Sequence, residues 1–326
     1  MIFADPVAMI PDGIELVRPF ASREIVAAFH DIDGTHSLIR DWVPVMTLCC
    51  GYVSVHGFPD SLEKLLFDDP ANYPEAHKFA VESAGLSALT QMEWAIRRAL
   101  ENGVLETVRF DREVNSEIIR RIWNGAERFD DLAEEPEFRC FLAEKTPELF
   151  RCYEKLLLVM SRNRNLAEAQ CDPEKWRVPG SMEFLSYLAN CGVANFFVTG
   201  AVVEYDHAGN LLGTMYEEIS ALGYRRNVHY EMLVGSSWEK KKPKGEIMRQ
   251  LCREHGFAPE NILVVGDGRS EIAAAAEMGS VALSRLDRSA LRAREIHRTQ
   301  GTNLIAERYD RSWVERIFRI CSNTSN

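Results

Sequence analysis

The sequence lacks the cysteine patterns that are typical of zinc-binding and disulfide-linked domains. Its eight cysteines include no CxxC pair and no CxxC…HxxxH spacing. In a chain of 326 residues this argues against a structural zinc site and against a disulfide framework. We therefore interpret the cysteines as buried free thiols.

Membrane and nucleic-acid partners are also disfavoured. No stretch approaches the roughly 18 apolar residues that a membrane span requires, and the N-terminal residues lack the basic and apolar regions of a signal peptide. Asp and Glu number 49 against 38 Lys and Arg, a net charge of −11, whereas binding to a nucleic-acid backbone needs clustered positive charge. We expect a soluble, cytoplasmic protein with no membrane or nucleic-acid partner.

The sequence does contain short apolar runs that alternate with helical stretches from Gly180 onward. Such alternation is typical of βαβ units that form a parallel sheet. The predicted strands are 25–31, 195–199, 230–235, 261–266, 280–284 and 303–306. The helices predicted between them, each ending at a glycine, are 181–192, 245–256 and 270–279.

The residues between the first and second predicted strands have a different pattern. They show helical periodicity, many charges and almost no strand signal. We predict a mostly α-helical cap domain at 42–175, inserted into an α/β core domain formed by 1–41 and 176–326. Its position directly after the first strand makes the insertion a candidate lid.

The stretch HDIDGTHS at 30–37 places Asp31 and Asp33 at the end of the first predicted strand. Side chains at i and i+2 of a strand point to the same face, so these two carboxylates need a compensating cation or proton. Ligands of an open parallel sheet bind outside the carboxyl ends of its strands. Polar groups follow three other strands there, namely Thr199 with Gly200, the lysine-rich segment 239–245, and Asp267. Carboxylates, a hydroxyl and an ammonium are groups that hold a hard cation and a phosphoryl group.

This series of motifs resembles that of the haloacid dehalogenase superfamily of phosphohydrolases, over residues 24–37 and 178 to about 310. The resemblance implies a three-layer α/β/α sandwich with a parallel, Rossmann-like sheet and a helical cap. It also implies Mg²⁺-dependent hydrolysis of a phosphate monoester. Asp31 would be the nucleophile that forms an aspartyl phosphate, and Asp33 would act first as general acid and then as base.

The other motifs have roles implied by the same resemblance. The Thr199 hydroxyl and the Gly200 amide would hold phosphate oxygens. The metal site would consist of Asp31, the backbone carbonyl of Asp33, and Asp267. Glu271 stands where the family usually has a second Asp, and it would either reach Mg²⁺ through water or only orient the lysine.

The phosphate-binding lysine has two candidates. Lys244 fits the phosphoserine-phosphatase-type pattern, in which the lysine begins the helix that precedes the metal-binding acid. Lys242, which is followed by Pro243, fits the KPxP pattern of the phosphoglucomutase-like branch. We favour Lys244 and keep Lys242 as the alternative.

Three functions stay open. The favoured one is a phosphatase acting on a small phosphorylated metabolite, with a sugar phosphate as the default substrate and a nucleotide next. A phosphomutase uses the same two aspartates, and a non-catalytic module could bind a phosphorylated ligand. His36 stands where relatives commonly have an apolar residue, and we interpret it as a cap of the following turn, with substrate contact as the alternative. The sequence gives no indication of the oligomeric state.

Overall fold

The computed structural model describes residues 13–21, 23–83, 86–106, 109–126, 128–236 and 243–317. The chain divides into two compact units. Arg40–Arg164 forms the helical unit, and the described residues before and after it form the sheet unit. The predicted cap domain extends further, to residue 175. Residues 165–175 belong to the sheet unit because Leu166 and Ala169 are buried among its apolar side chains.

The strands are β1 Ile14–Leu16, β2 Ala27–His30, β3 Ala194–Val202, β4 Glu204–Tyr205, β5 Leu211–Leu212, β6 Met232–Ser236, β7 Ile262–Gly266, β8 Val281–Arg285 and β9 Leu304–Ala306. The helices are α1 Trp42–His56, α2 Leu62–Leu66, α3 Pro74–Glu82, α4 Ala88–Glu101, α5 Arg112–Trp123, α6 Pro136–Leu157, α7 Asn163–Cys171, α8 Pro173–Trp176, α9 Ser181–Asn190, α10 Gly213–Ala221, α11 Lys244–His255, α12 Arg269–Met278, α13 Leu291–Gln300 and α14 Arg311–Ile317. A π-helical turn at Leu158–Arg162 joins α6 to α7.

The sheet unit contains a mostly parallel sheet with the strand order β1-β9-β8-β7-β2-β3-β6. Its neighbours pair in parallel except for β1, which pairs antiparallel with β9. The parallel sheet expected from the sequence is confirmed, and the strands and helices predicted for the core are all present. β1 and the β4–β5 hairpin, which have only three and two residues per strand, are not among the predicted strands.

Alternate strand residues face opposite sides of the sheet, and helices cover both sides. On one side, Leu263 and Val265 of β7 pack in the cluster that contains Phe184 of α9. On the other, Ile262 and Val264 of the same strand pack in the cluster that contains Met248 of α11. A strand that is buried on both faces is typical of a parallel sheet between two helical layers. The expected three-layer α/β/α arrangement is therefore confirmed.

The helical unit contains no strand among its described residues. Its core is rich in aromatic side chains, with the Phe79 and Trp94 rings stacked at 3.9 Å and 13°. Ser87 and Asp111 accept hydrogen bonds from backbone N–H groups in the first turns of α4 and α5. These caps satisfy donors that a helix start leaves without intrahelical partners.

The cysteines of the described chain are all free thiols. Cys49, Cys50 and Cys252 are buried as expected, and Cys152 and Cys191 are half-buried. Cys140 and Cys171 are exposed, so the interpretation of the cysteines as buried thiols is wrong for these two. Both lie on the outward faces of helices. Cys321 lies outside the described residues. No helix in the described part of the chain is long and apolar enough to cross a membrane.

Candidate active site

The acidic residues of the sequence motifs lie at the carboxyl ends of neighbouring parallel strands. In the register of the sheet, His30 at the end of β2 pairs with Val265 of β7. Asp31 comes next, and its backbone N–H donates to the Val265 carbonyl at 2.8 Å. Asp267 directly follows β7, and Thr199 lies in β3, the strand on the other side of β2. The topology thus brings these residues to one edge of the sheet.

Lys244, the first residue of α11, bridges two acidic side chains at this edge. Its Nζ lies 2.8 Å from Asp31 Oδ2 and 3.2 Å from Glu271 Oε2. Burial disfavours the charged form of Lys244, but the neighbouring carboxylates outweigh it and raise the lysine pKa. Lys244 therefore stays protonated at neutral pH and provides a fixed positive charge beside Asp31.

Both carboxylate oxygens of Glu271 accept hydrogen bonds. Oε1 accepts from the Gly268 N–H at 2.7 Å, and Oε2 accepts from the Ser270 hydroxyl at 2.9 Å and from Lys244. Burial alone would raise the pKa of Glu271. The Lys244 charge and the hydrogen bonds outweigh this effect, so the net result is a lowered pKa. These contacts favour the role of orienting Lys244 among the two roles that the sequence left open for Glu271.

Asp31, Asp267 and Glu271 form an acidic cluster that could hold a metal ion. One oxygen of each lies within 4.8 Å of the others. Burial and the charge of Glu271 raise the pKa of Asp267 to about 6, against the lowering effect of Lys244 and Thr35. Burial also raises the pKa of Asp31. Because three carboxylates, two of them buried and that of Asp267 half-buried, face the Lys244 ammonium, the cluster carries excess negative charge, and its oxygen donors fit a divalent cation such as Mg²⁺.

The loop after β2 is folded tightly against Asp267. The Ile32 carbonyl accepts hydrogen bonds from the backbone N–H groups of residues 35–37. Gly34 has a φ of +73°, and a Cβ at this position would lie 2.0 Å from Asp267 Oδ2. The Thr35 hydroxyl donates to Asp267 Oδ1 at 3.1 Å. The absence of a side chain at Gly34 is therefore what allows the carboxylate to approach the loop backbone.

Thr199 and Gly200 lie on the neighbouring strand. Thr199 is buried, and its Oγ1 accepts a hydrogen bond from the Ala201 N–H at 3.1 Å. A hydroxyl that accepts one hydrogen bond can still donate its own proton to a phosphate oxygen. Gly200 is exposed, and a Cβ there would meet the Lys244 Cε at 3.9 Å. Thr199 and Gly200 thus lie beside Lys244.

The structure brings Asp31, Lys244 and Glu271 into direct contact, and Asp267 completes their cluster. Asp33 is half-buried in the loop after β2. Lys242, the alternative phosphate-binding lysine, lies outside the described residues. The assignment of Lys244 stays a prediction, which its contact with Asp31 supports.

Sequence reasoning missed two residues that hold the loop in place. Thr35 was quoted within the DIDGT motif, but its hydrogen bond to Asp267 was not foreseen. Tyr309 donates its hydroxyl proton to the Thr35 carbonyl at 3.0 Å. Since 274 positions separate Tyr309 from Thr35, no local pattern indicates this contact.

His36 does not act as a cap of the following turn. Its ring is fully buried, with Nδ1 at 2.5 Å from Ser181 Oγ and Nε2 at 3.0 Å from His30 Nδ1. Both ring nitrogens are therefore engaged by side chains in the interior of the sheet unit, and neither is directed to a backbone group of the turn.

The comparisons with curated proteins and with solved structures establish no activity for this chain. No curated protein matches the chain. A β-phosphoglucomutase from Clostridium difficile is similar in structure at 12% identity, with a TM-score of 0.49 over 90% of this chain and 97% of that one. A phosphonoacetaldehyde hydrolase-like protein from Oleispira antarctica is similar at 16% identity, with a TM-score of 0.49 over 95% and 97%. Similarities this weak establish nothing about activity.

The family comparison is stronger because it covers most of the chain. The model of the haloacid dehalogenase-like hydrolase family matches residues 25–279. This range begins just before β2 and ends just after α12. It therefore includes Asp31 and Glu271, the first and last residues of the acidic cluster in the sequence. The chain therefore belongs to the haloacid dehalogenase-like hydrolase family.

Proposed function

We propose that the chain is a Mg²⁺-dependent phosphatase that hydrolyses a small phosphate monoester through an aspartyl phosphate on Asp31. The observation that carries the proposal is the contact of 2.8 Å between Lys244 Nζ and Asp31 Oδ2, in a largely buried cluster with excess negative charge. A carboxylate in this setting is suited to accept a phosphoryl group, since the ammonium offsets the negative charge that phosphate brings.

The reaction proceeds in two displacements. In the first, a carboxylate oxygen of Asp31 attacks the phosphorus, and the bond from phosphorus to the leaving oxygen breaks. Asp33 donates its proton to that oxygen, so that the product leaves as an alcohol. In the second, Asp33 accepts a proton from a water molecule whose oxygen attacks the aspartyl phosphate. This step regenerates the Asp31 carboxylate and releases inorganic phosphate.

The other residues bind the phosphoryl group and offset part of the cost of ionising the buried nucleophile. Burial raises the pKa of Asp31 above its usual value, and the Lys244 charge opposes this shift without cancelling it, so the lysine favours the reactive carboxylate form. The Thr199 hydroxyl and the Gly200 N–H are donors for phosphate oxygens. Asp31, Asp267 and the backbone carbonyl of Asp33 would hold Mg²⁺, which supplies positive charge to the phosphate when it is bound.

The proposed substrate is a small phosphorylated metabolite, with a sugar phosphate as the first class to test and a nucleotide as the second. The net charge of −11 disfavours a nucleic-acid partner. We expect the protein to act in the cytoplasm. A screen of phosphorylated metabolites against the purified chain would narrow the substrate class.

The first test is Mg²⁺-dependent release of phosphate from para-nitrophenyl phosphate. We expect EDTA to abolish the release and Asp31→Asn to lower kcat by about 10³-fold or more, because an amide is a poor nucleophile. Asp172→Asn is the matched control, since Asp172 is an exposed aspartate of the sheet unit outside the cluster. Equal rates for the wild type and Asp31→Asn would rule out Asp31 as the nucleophile.

The second test concerns the covalent intermediate. Asp33→Asn slows hydrolysis of the aspartyl phosphate because no base activates the water. We expect mass spectrometry to find one added phosphoryl group on the peptide that contains Asp31, with an activated phosphate donor as substrate. Bisphosphate-dependent isomerisation of a sugar phosphate would instead indicate a phosphomutase, and ligand binding without turnover would indicate a binding module.

A further inference from the structure

A continuous chain of buried polar side chains lies behind the loop that carries Asp31 and Asp33. Its members are Asn195, His30, His36, Ser181 and Tyr224, all of them almost completely buried. Asn195 Oδ1 lies 3.1 Å from His30 Nε2, and His30 Nδ1 lies 3.0 Å from His36 Nε2. His36 Nδ1 lies 2.5 Å from Ser181 Oγ, which lies 2.6 Å from the Tyr224 hydroxyl.

The direction of every hydrogen bond in this chain follows from one end. The Asn195 Nδ2 group donates to the backbone carbonyls of Leu185 at 2.9 Å and His229 at 3.0 Å, which fixes the orientation of the amide. Asn195 Oδ1 can therefore only accept, and His30 Nε2 must carry a hydrogen. The His30 ring is completely buried, and its two nitrogens contact Asn195 Oδ1 and His36 Nε2 rather than a carboxylate, so the ring is neutral and Nδ1 accepts.

The same reasoning extends to His36. Because His30 Nδ1 accepts, His36 Nε2 must carry a hydrogen. The His36 ring is equally buried and has no carboxylate at either nitrogen, so it is neutral, and its Nδ1 accepts the Ser181 hydroxyl proton. The Ser181 oxygen then has only lone pairs for the Tyr224 hydroxyl, whose single proton lies within hydrogen-bond distance of Ser181 Oγ at 2.6 Å and of the His36 carbonyl at 3.1 Å. Both histidines are thus fixed as the neutral tautomer with the hydrogen on Nε2.

The chain of hydrogen bonds holds both ends of the loop that carries Asp31 and Asp33. His30 is bonded directly to Asp31 in the sequence, and His36 lies three residues after Asp33, so the contact between the two rings closes the loop like a cross-link. Tyr309 stacks on the His36 ring at 5.3 Å and 12°, and its hydroxyl donates to the Thr35 carbonyl. Rings with a single allowed protonation state leave the loop few alternative conformations.

We propose that His30 and His36 are positioning residues for the nucleophile loop, and that their one-directional hydrogen-bond chain, from Tyr224 to Asn195, keeps Asp31 and Asp33 in reacting geometry. The proposal rests on the proposed phosphatase function, because it assigns the loop a reaction to position. Neither ring touches the substrate in this account, and both act through the two aspartates.

The tautomers can be measured without any turnover. In the full chain with ¹⁵N-labelled histidine, long-range ¹H–¹⁵N spectra distinguish a protonated from an unprotonated ring nitrogen. We expect Nε2 to be protonated and Nδ1 unprotonated in both rings at neutral pH, with the signals assigned from His30→Gln and His36→Gln. A hydrogen on Nδ1 of either ring would overturn the proposed chain.

Kinetics then separate positioning from a loss of stability. We expect His36→Leu to lower kcat for para-nitrophenyl phosphate by about 10- to 100-fold with a nearly unchanged KM, because a displacement of about 1 Å has this effect. His36→Gln, whose amide can donate to His30, should recover much of the loss. Thr302→Val removes buried hydrogen bonds of the sheet unit away from the loop, so it should lower stability but leave kcat unchanged.

The outcomes are distinguishable. Wild-type kcat in His36→Leu, or equal losses in His36→Leu and His36→Gln, would overturn the positioning role. If His36→Leu does not fold, Ser181→Ala tests the same hydrogen-bond chain. We then expect a several-fold fall in kcat at constant KM, and an unchanged kcat would contradict the proposal. If the wild type releases no phosphate, the proposed function fails. The tautomer measurement still shows whether the hydrogen-bond chain has the proposed direction.

Discussion

Lys244 is one cation shared by two buried carboxylates, and this sharing governs the charge of the site. Its ammonium contacts Asp31 and Glu271, and Asp267 adds a third carboxylate to the same cluster. Excess buried charge costs several kcal/mol per ion, and the pKa of Asp267, raised to about 6, reflects that cost. A divalent cation would remove the imbalance, so we expect Mg²⁺ to stabilise the folded chain.

Gly34 is the residue at which the loop is most sensitive to an added methyl group. Its φ of +73° disfavours any side chain, and a Cβ would lie 2.0 Å from Asp267 Oδ2. Gly34→Ala must therefore displace the carboxylate in addition to a backbone cost of about 1–2 kcal/mol. We expect Mg²⁺ affinity, measured by calorimetry, to fall at least about 10-fold, together with phosphate release.

Gly192→Ala is the matched control for this prediction. Gly192 has a similar φ of +79°, but a Cβ there would meet nothing within 4 Å. The control should therefore show the backbone cost alone, with Mg²⁺ affinity and phosphate release close to those of the wild type. Equal Mg²⁺ affinity in the two variants would mean that Gly34 does not control the placement of Asp267.

At the scale of elements, the start of α11 decides which lysine serves the site. Lys244 begins the helix, and its ammonium lies 2.8 Å from Asp31 Oδ2. Lys244→Met leaves the carboxylates without their cation, which favours the protonated form of Asp31 and removes a phosphate contact. We expect kcat to fall by about 10²- to 10³-fold, in line with the loss of one charge-stabilising donor.

Lys242→Met is the comparison that separates the two candidate lysines. It removes the same charge two residues away, and we expect a rate for phosphate release within about threefold of the wild type. A large fall in Lys242→Met together with a small one in Lys244→Met would support the KPxP pattern of the phosphoglucomutase-like branch instead.

Elements with a strong local pattern were predictable, and those without one were not. β7 is five buried residues bounded by polar ones, and the sequence indicated it correctly. β1 and the β4–β5 hairpin are too short to show an alternation of apolar and polar residues. Their existence depends on partners, such as the pairing of Ile14 with Ala306, which the local sequence does not specify.

The same distinction applies to the candidate site, where residues in local motifs were predictable and residues defined by distant contacts were not. Asp31 and Asp267 directly follow strands and Thr199 lies within β3, all in recognisable motifs, and the structure brings them to one edge of the sheet. The buried partners of His36 could not be found in this way, because Ser181 lies 145 positions and Tyr224 188 positions away from it. Such contacts depend on tertiary packing rather than on a local pattern.

At the scale of the whole molecule, the site residues are separated in sequence by the helical unit. Asp31 and Asp33 come before Arg40–Arg164, and Lys244 and Asp267 come after it. The chain leaves and re-enters the sheet unit at adjacent points, since Asn165 Nδ2 donates to the Ile39 carbonyl at 2.8 Å. An insertion whose ends lie together leaves the parent fold undistorted, which explains how the sheet forms across it.

The stability of the molecule should depend on pH through a buried histidine outside the cluster. His297 is fully buried with Nδ1 at 2.8 Å from Ser284 Oγ, and burial lowers its pKa to about 4. The unfolded chain binds a proton at this ring below about pH 6.5, whereas the folded chain does so only below about pH 4. Its contribution to stability is therefore complete above about pH 6.5 and is lost as the pH falls towards 4.

The raised pKa values of Asp31 and Asp267 act in the opposite direction, so the informative quantity is the difference between two proteins. We expect the stability of His297→Gln relative to the wild type to increase by about 2 kcal/mol between pH 7 and pH 4.5, because glutamine has no proton to bind. Urea unfolding of both proteins at the two pH values measures this change. A difference between the proteins that is the same at pH 7 and pH 4.5 would mean that His297 is protonated in the folded chain as readily as in the unfolded one.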